Sequence, residues 1–204
     1  GGFVDKAIET YKDVLRINRD QYEVIQALCR IYEDTGDWDQ AYNYRIMLSK
    51  VAHENQAETV SHILVQKAKT SFDQGNLSRC HEDLDDAFRF APSVSAKILR
   101  LRLLLVEGAM EQAEFQLLEL VKEHPMYTSF IFESLGEKVK ADFQSDYSAR
   151  MAALRGYFLD LEDDELMGSP SVVLTKVRLL KEGGEADRAA KLMRDWMEAH
   201  PQSS

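Results

Sequence analysis

The stretch Leu28-Cys29-Arg30-Ile31-Tyr32-Glu33-Asp34-Thr35-Gly36-Asp37-Trp38-Asp39-Gln40-Ala41 decides the fold. A helix-periodic segment runs into Gly36, and a second one starts at once with Trp38 in the turn. Glycine suits the end of a helix, where a positive φ is wanted. The small residue five positions on, Ala41, falls early in the next helix, where it must approach its partner closely. The stretch therefore reads as two helices folded back on each other.

The same spacing recurs. Gly2, Gly36, Gly75, Gly108 and Gly184 are each followed five residues later by Ala7, Ala41, Cys80, Ala113 and Ala189. Seventeen residues after three of these glycines stand Pro92, Pro125 and Pro201, where a helix would end. The glycine steps are 34, 39, 33 and 76, the last leaving room for two units of 38. A hairpin of roughly 34 residues cannot bury its apolar face alone, so it must stack on its neighbours.

This grid resembles the tetratricopeptide repeat. The second unit keeps Ala68, Gly75, Leu84, Ala87 and Pro92. The third keeps Leu101, Leu104, Gly108, Ala113, Leu117 and Pro125, and the last Gly184, Ala189, Trp196 and Pro201. The expectation is an all-α tetratricopeptide-repeat solenoid of stacked antiparallel helical hairpins in a right-handed superhelix. It would form a single domain over residues 1–204, with units near 1–21, 22–57, 58–93, 94–127, a degenerate 128–168, and 169–204. Within the degenerate unit, helices are expected from Thr128 to Lys140 and from Ser145 to Leu161, without a turn glycine. The long step between Gly36 and Gly75 suggests a longer loop around His53–Ala57. Gly2 sits where a turn should be, and Pro201-Gln202-Ser203-Ser204 stops where a covering helix would follow, so a piece of a longer protein is expected.

Composition narrows the function. With 45% hydrophobic and 29% charged residues, the chain can build a core and is not compositionally disordered. A net charge of −10 argues against a general binder of nucleic acid or anionic membrane. The longest apolar run, Leu103–Val106, is far short of the ~20 residues of a membrane helix. Gly1–Asp5 lacks the pattern of a signal peptide.

Nothing in the sequence supports catalysis, a metal or a cofactor. Cys29 and Cys80 occupy small-residue positions of the repeat and read as packing groups. His53, His62, His81, His124 and His200 have no ligand spacing. His124 and His200 precede prolines at equivalent helix ends, where positive charge is favourable. The acidic run Asp160, Glu162, Asp163, Asp164 and Glu165 reads as a solvated helix end, or else as a dock for a basic segment.

The position six residues before the turn glycine reads Arg30, Lys69, Arg102 and Arg178, a basic ladder expected on the concave groove. Glu33 and Asp34 could neutralise Arg30, and Asp73 could neutralise Lys69, through i,i+3 or i,i+4 pairing. Arg102 and Arg178 look less neutralised. Phe72, Ile98, Leu105 and Leu174 would add apolar contacts to an acidic or carboxylate-bearing partner. A chaperone-type carboxylate clamp is disfavoured because its asparagines are missing.

Along the chain, Ile25–Glu33 with Gly36-Asp37-Trp38-Asp39-Gln40-Ala41 is similar to the lipopolysaccharide assembly protein family LapB (YciM). Further likeness lies in Glu54–Glu58, Asp73–Leu77, Ala87–Ala91, Glu107–Ala113, Ala189-Ala190 and Glu198–Pro201. The resemblance implies a cytoplasmic, non-enzymatic adaptor whose parent is anchored at the cytoplasmic face of the bacterial inner membrane. Its implied partners are the membrane protease FtsH and the lipid A deacetylase LpxC, and its implied role is control of lipopolysaccharide synthesis. The family's anchor and paired C-x-x-C zinc module do not occur in this sequence. Two alternatives stand beside it: a repeat region attached to an N-acetylglucosaminyltransferase-type enzyme, or a generic assembly scaffold.

Overall fold

The computed structural model describes residues 2–201, and among these the regular structure is entirely helical. The chain divides into two compact units, residues 1–96 and 97–204. The first holds α1 (Gly2–Ile17), α2 (Tyr22–Thr35), α3 (Trp38–Ala52), α4 (Ala57–Gln74) and α5 (Leu77–Phe90), and the division falls early in α6 (Val94–Glu107). The second continues with α7 (Met110–Glu123), a 3-10 turn at Pro125–Tyr127, α8 (Thr128–Leu135) and α9 (Ala141–Asp160). It closes with α10 (Asp164–Met167), α11 (Pro170–Glu182) and α12 (Ala186–Ala199).

Four of the five grid glycines make the same turn. Gly36, Gly75, Gly108 and Gly184 have φ of 72°, 80°, 79° and 80°. Each donates its N–H three residues back, to Glu33, Phe72, Leu105 and Lys181, and the next residue reaches five back, to Tyr32, Ser71, Leu104 and Leu180. This pair of bonds satisfies carbonyls that the helix end would otherwise leave open. Asp37 and Asn76 then start α3 and α5 by accepting from the N–H of Gln40 and Arg79, each at 3.2 Å. The small residues Ala41, Cys80, Ala113 and Ala189 are all fully buried. Gly2 is different: it is the first helical residue of α1, and Ala7 is only half-buried.

In the first unit α2 packs on α3 and α4 on α5 as antiparallel hairpins, with α1 against α2 and α3 against α4. Its core gathers Leu15, Ile25, Leu28, Tyr32, Leu48 and Ile63 around Ala41, and Tyr32 stacks on Tyr44 at 5.5 Å. The long glycine step is not a longer loop. His53–Gln56 is only four residues, as long as Asn18–Gln21, and the extra length goes mainly into α4, which has 18 residues against 14 in α2.

In the second unit the ion pair of Lys97 with Glu123 joins the start of α6 to the end of α7. The pair α11 and α12 buries Val173, Val177 and Leu180 against Ala189, with Trp196 closing the edge. The degenerate repeat departs from expectation. Helix α8 stops at Leu135 rather than Lys140, and α9 starts at Ala141 rather than Ser145. The early stop is possible because other side chains serve the exposed carbonyls. Tyr147 Oη donates to Leu135 O at 2.6 Å, and Arg102 donates to the carbonyls of Glu137 and Lys138. Gly136 does end α8, but with φ −77° it does not make the left-handed turn of the other four. Helix α12 ends at Ala199, and Gln202–Ser204 lie outside the described residues.

Candidate partner-binding surfaces

The residues of the expected basic ladder are not alike in exposure or pairing. Arg30 and Lys69 are exposed in the first unit, and among the described residues neither forms an ion pair. Glu33 is not spent on Arg30. It faces Arg45 of α3, which donates from Nε and Nη2 to its two oxygens, the latter at 3.1 Å. That bidentate geometry is the stronger arrangement for a guanidinium and a carboxylate.

Arg102 reverses its expectation. It is 4% exposed, donates to Glu137 Oε2 at 3.3 Å and to the carbonyls of Glu137 and Lys138 at 3.2 and 3.1 Å. It caps the end of α8 and is unavailable to a partner in this state. Arg178 is paired with Glu133 at 2.9 Å, and that cation holds the Glu133 carboxyl below its ordinary range. The two arginines expected to be less neutralised are thus the ones with partners.

Among the expected apolar contacts, Phe72, Ile98 and Leu105 are core residues at 1%, 5% and 0% exposure. Their positions lie on the buried stripes of α4 and α6, so they hold helices together instead of meeting a partner. Leu174 is the exception at 57% exposed.

Leu174 has company that sequence reasoning missed. Both α8 and the Pro125–Tyr127 turn before it pack against α11. The ion pair of Arg178 with Glu133 ties α11 to α8. One turn back from Arg178 lies Leu174, and one turn back from Glu133 lies Phe130. Phe130 is 49% exposed, Met126 82% and Tyr127 52%. Met126, Tyr127, Phe130 and Leu174 are thus exposed apolar side chains on elements that pack together, and the Arg178–Glu133 pair links α11 to α8. The signal was present in Phe130-Ile131-Phe132, since three consecutive apolar residues cannot all face one side of a helix. Ile131 and Phe132 take the core, which leaves Phe130 outside.

The acidic run is largely occupied within the second unit. Asp160 meets Arg188 at 2.8 Å, Asp163 meets Lys122 at 2.8 Å and also caps α10 through the Leu166 N–H. Lys122 and that N–H keep the Asp163 carboxyl below its ordinary range. Beneath this run lies Lys176, 2% exposed, donating to Leu161 O with its ammonium 5.3 Å from the Phe158 ring. Burial pushes its pKa down.

The cysteines are buried and in no disulfide, and burial pushes the Cys29 thiol up to about 11. His124 and His200 share one geometry, each accepting the role of helix end with N–H donated to Leu120 O and Trp196 O. His200 also stacks on Trp196 at 4.9 Å. Among the described residues no three His, Cys, Asp or Glu gather to hold a metal ion, and no helix is long and apolar enough to cross a membrane.

The fold defines a class: an all-α protein built of tetratricopeptide-type helical hairpins. No protein-family model matches the chain, and no curated protein matches it. Among solved structures it is similar to a tetratricopeptide repeat protein from Parabacteroides merdae ATCC 43184, at 16% identity and TM-score 0.42, over 97% of this chain and 72% of that one. The hairpin assignment rests on the four glycine turns and the helix pairings, not on that likeness.

Proposed function

We propose that the chain is a protein-interaction scaffold that seats a partner on the apolar strip of Met126, Phe130 and Leu174. The exposure of these three side chains on adjacent elements is the observation that carries the reading. Single exposed apolar residues are ordinary, whereas a contiguous strip with a polar border is the mark of an interaction site. In its finer form the reading follows the sequence resemblance to the LapB family. The chain then serves as an adaptor for FtsH-dependent degradation of LpxC and so in control of lipopolysaccharide synthesis, with its parent at the inner membrane. The support for that form is the pattern from Ile25 to Ala41 and the ordered matches after it.

The test is a pull-down of purified LpxC and of the FtsH cytoplasmic domain, with wild type and with the Phe130→Ser, Leu174→Asp double variant. Both positions are exposed, so the variant should melt within a degree or two of wild type. Binding lost in the variant supports the apolar strip and the adaptor together. Binding that survives moves the site elsewhere, and no binding by wild type removes these two partners.

A further inference from the structure

Helix α1 carries two stripes of apolar or small residues, and only one of them is covered. Ile8, Tyr11 and Leu15 pack into the core of the first unit. Phe3, Ala7, Thr10, Val14 and Ile17 form the second, in steps of four, three, four and three residues. Helical geometry places it about 120° around the helix from the first. Phe3 is 93% and Ile17 90% exposed, Thr10 is exposed, and Ala7 and Val14 are half-buried.

Alternating steps of three and four are the spacing with which two helices pack along a seam. Left open, such a seam keeps apolar surface in water. Exposed helix faces of this protein do not all look like this. The same alternation on α12 reads Arg188, Lys191, Asp195 and Glu198, every one charged and exposed.

The flanking charges define the occupant. Lys6 and Asp13 stand seven residues apart beside the open stripe, on the side away from Ile8, Tyr11 and Leu15. Lys6 is exposed and, among the described residues, forms no ion pair. Asp13 pairs with Arg16 one turn on, and both side chains are exposed, so that pair exchanges at little cost. Against a second α1 laid parallel, Lys6 would meet Lys6 and Asp13 would meet Asp13. Laid antiparallel, Lys6 of each copy meets Asp13 of the other, twice by symmetry. Phe3 then comes to the Val14–Ile17 end of the opposite stripe, and the small Ala7 and Thr10 let the helices approach at the middle. This self-complementarity is what a two-fold contact between identical chains requires.

We propose that two copies of this chain associate by antiparallel contact of their α1 helices along Phe3, Ala7, Thr10, Val14 and Ile17, with Lys6 and Asp13 setting the orientation. The contact is independent of the surface at Met126, Phe130 and Leu174 and of the adaptor reading. One helix of 16 residues buries little beside a stable interface, so association is weak, with a Kd of about 100 µM.

The test is sedimentation equilibrium of the whole chain from about 5 to about 500 µM, a range that spans this Kd. The expected result is a dimer fraction that rises with concentration and is lost in the Phe3→Ser, Ile17→Ser double variant. Lys6→Glu and Asp13→Lys each weaken association about tenfold, because both symmetric pairs turn repulsive. Mixed in equal amounts, these two variants regain it, since one then carries two negative flanks and the other two positive ones. All four positions are exposed, so the variants keep the fold. A chain that stays monomeric at the highest concentration overturns the proposal and leaves the stripe to a different helix. A dimer indifferent to the Phe3 and Ile17 substitutions, charge variants that associate as wild type does, or a mixture no stronger than either variant alone overturns it as well.

Discussion

The guanidinium carbon of Arg150 lies 3.0 Å from the place where a Cβ on Gly108 would stand. From that position Arg150 Nη1 donates to the carbonyls of Leu105 and Val106 at 2.9 and 2.7 Å. A side chain in the middle of α9 thereby closes the end of α6, 45 residues away from Leu105. The glycine serves two purposes here: a left-handed backbone and room for the arginine.

Gly108→Ala should therefore destabilise by about 1–3 kcal/mol, combining a positive φ with displacement of the guanidinium. Gly156, in the middle of α9, meets nothing within 4 Å of its added Cβ and has no positive φ. Gly156→Ala should stabilise by about 1 kcal/mol through helix propensity alone. Urea melts of the two variants should move in opposite directions.

Arg102→Ala should cost about 1–3 kcal/mol, because the carbonyls of Glu137 and Lys138 lose their donor at the end of α8. Arg30→Ala and Lys69→Ala, at exposed positions without ion pairs, should stay within about 0.5 kcal/mol of wild type. Denaturant titration of the three variants tests whether the sequence-level ladder is one feature or two.

The buried Lys176 gives a signed pH effect. Its folded pKa is lowered from 10.5 by burial and by Arg188, against the opposing pull of Asp160, Glu162 and Asp163. Between that lowered value and 10.5 the unfolded chain binds more protons than the folded one, so this group adds stability as pH rises. The difference in unfolding free energy between wild type and Lys176→Met should drift in favour of wild type across that window. A flat difference would contradict a buried, destabilised ammonium.

Neither cysteine should react with a disulfide reagent in the native protein at pH 8. Both are 0% exposed, and with its pKa pushed to about 11 the Cys29 thiol is almost wholly protonated. Labelling should appear only with denaturant, along the unfolding curve. Rapid labelling of the folded chain would show that α2 and α3 open locally far more often than their packing suggests.

The sequence by itself determined the hairpins. A left-handed turn needs glycine, a close helix crossing needs a small side chain, and both requirements act within a few residues, so Gly36 with Ala41 and Gly75 with Cys80 could be read directly. It could also tell the packing cysteines from reactive ones. What it could not see were partners distant along the chain. Arg102 meets Glu137 35 residues on and Arg178 meets Glu133 45 residues back, while i,i+4 reasoning looks only one turn away. The same blindness hid the end of α8, which stops at Leu135 because Tyr147 and Arg102 reach its carbonyls. Which apolar residues face water was likewise settled by packing: Leu105 and Phe72 joined the core, and Phe130 and Leu174 were left outside it. Local backbone chemistry is written in neighbouring letters, whereas burial and ion pairing belong to whichever helices come to lie side by side.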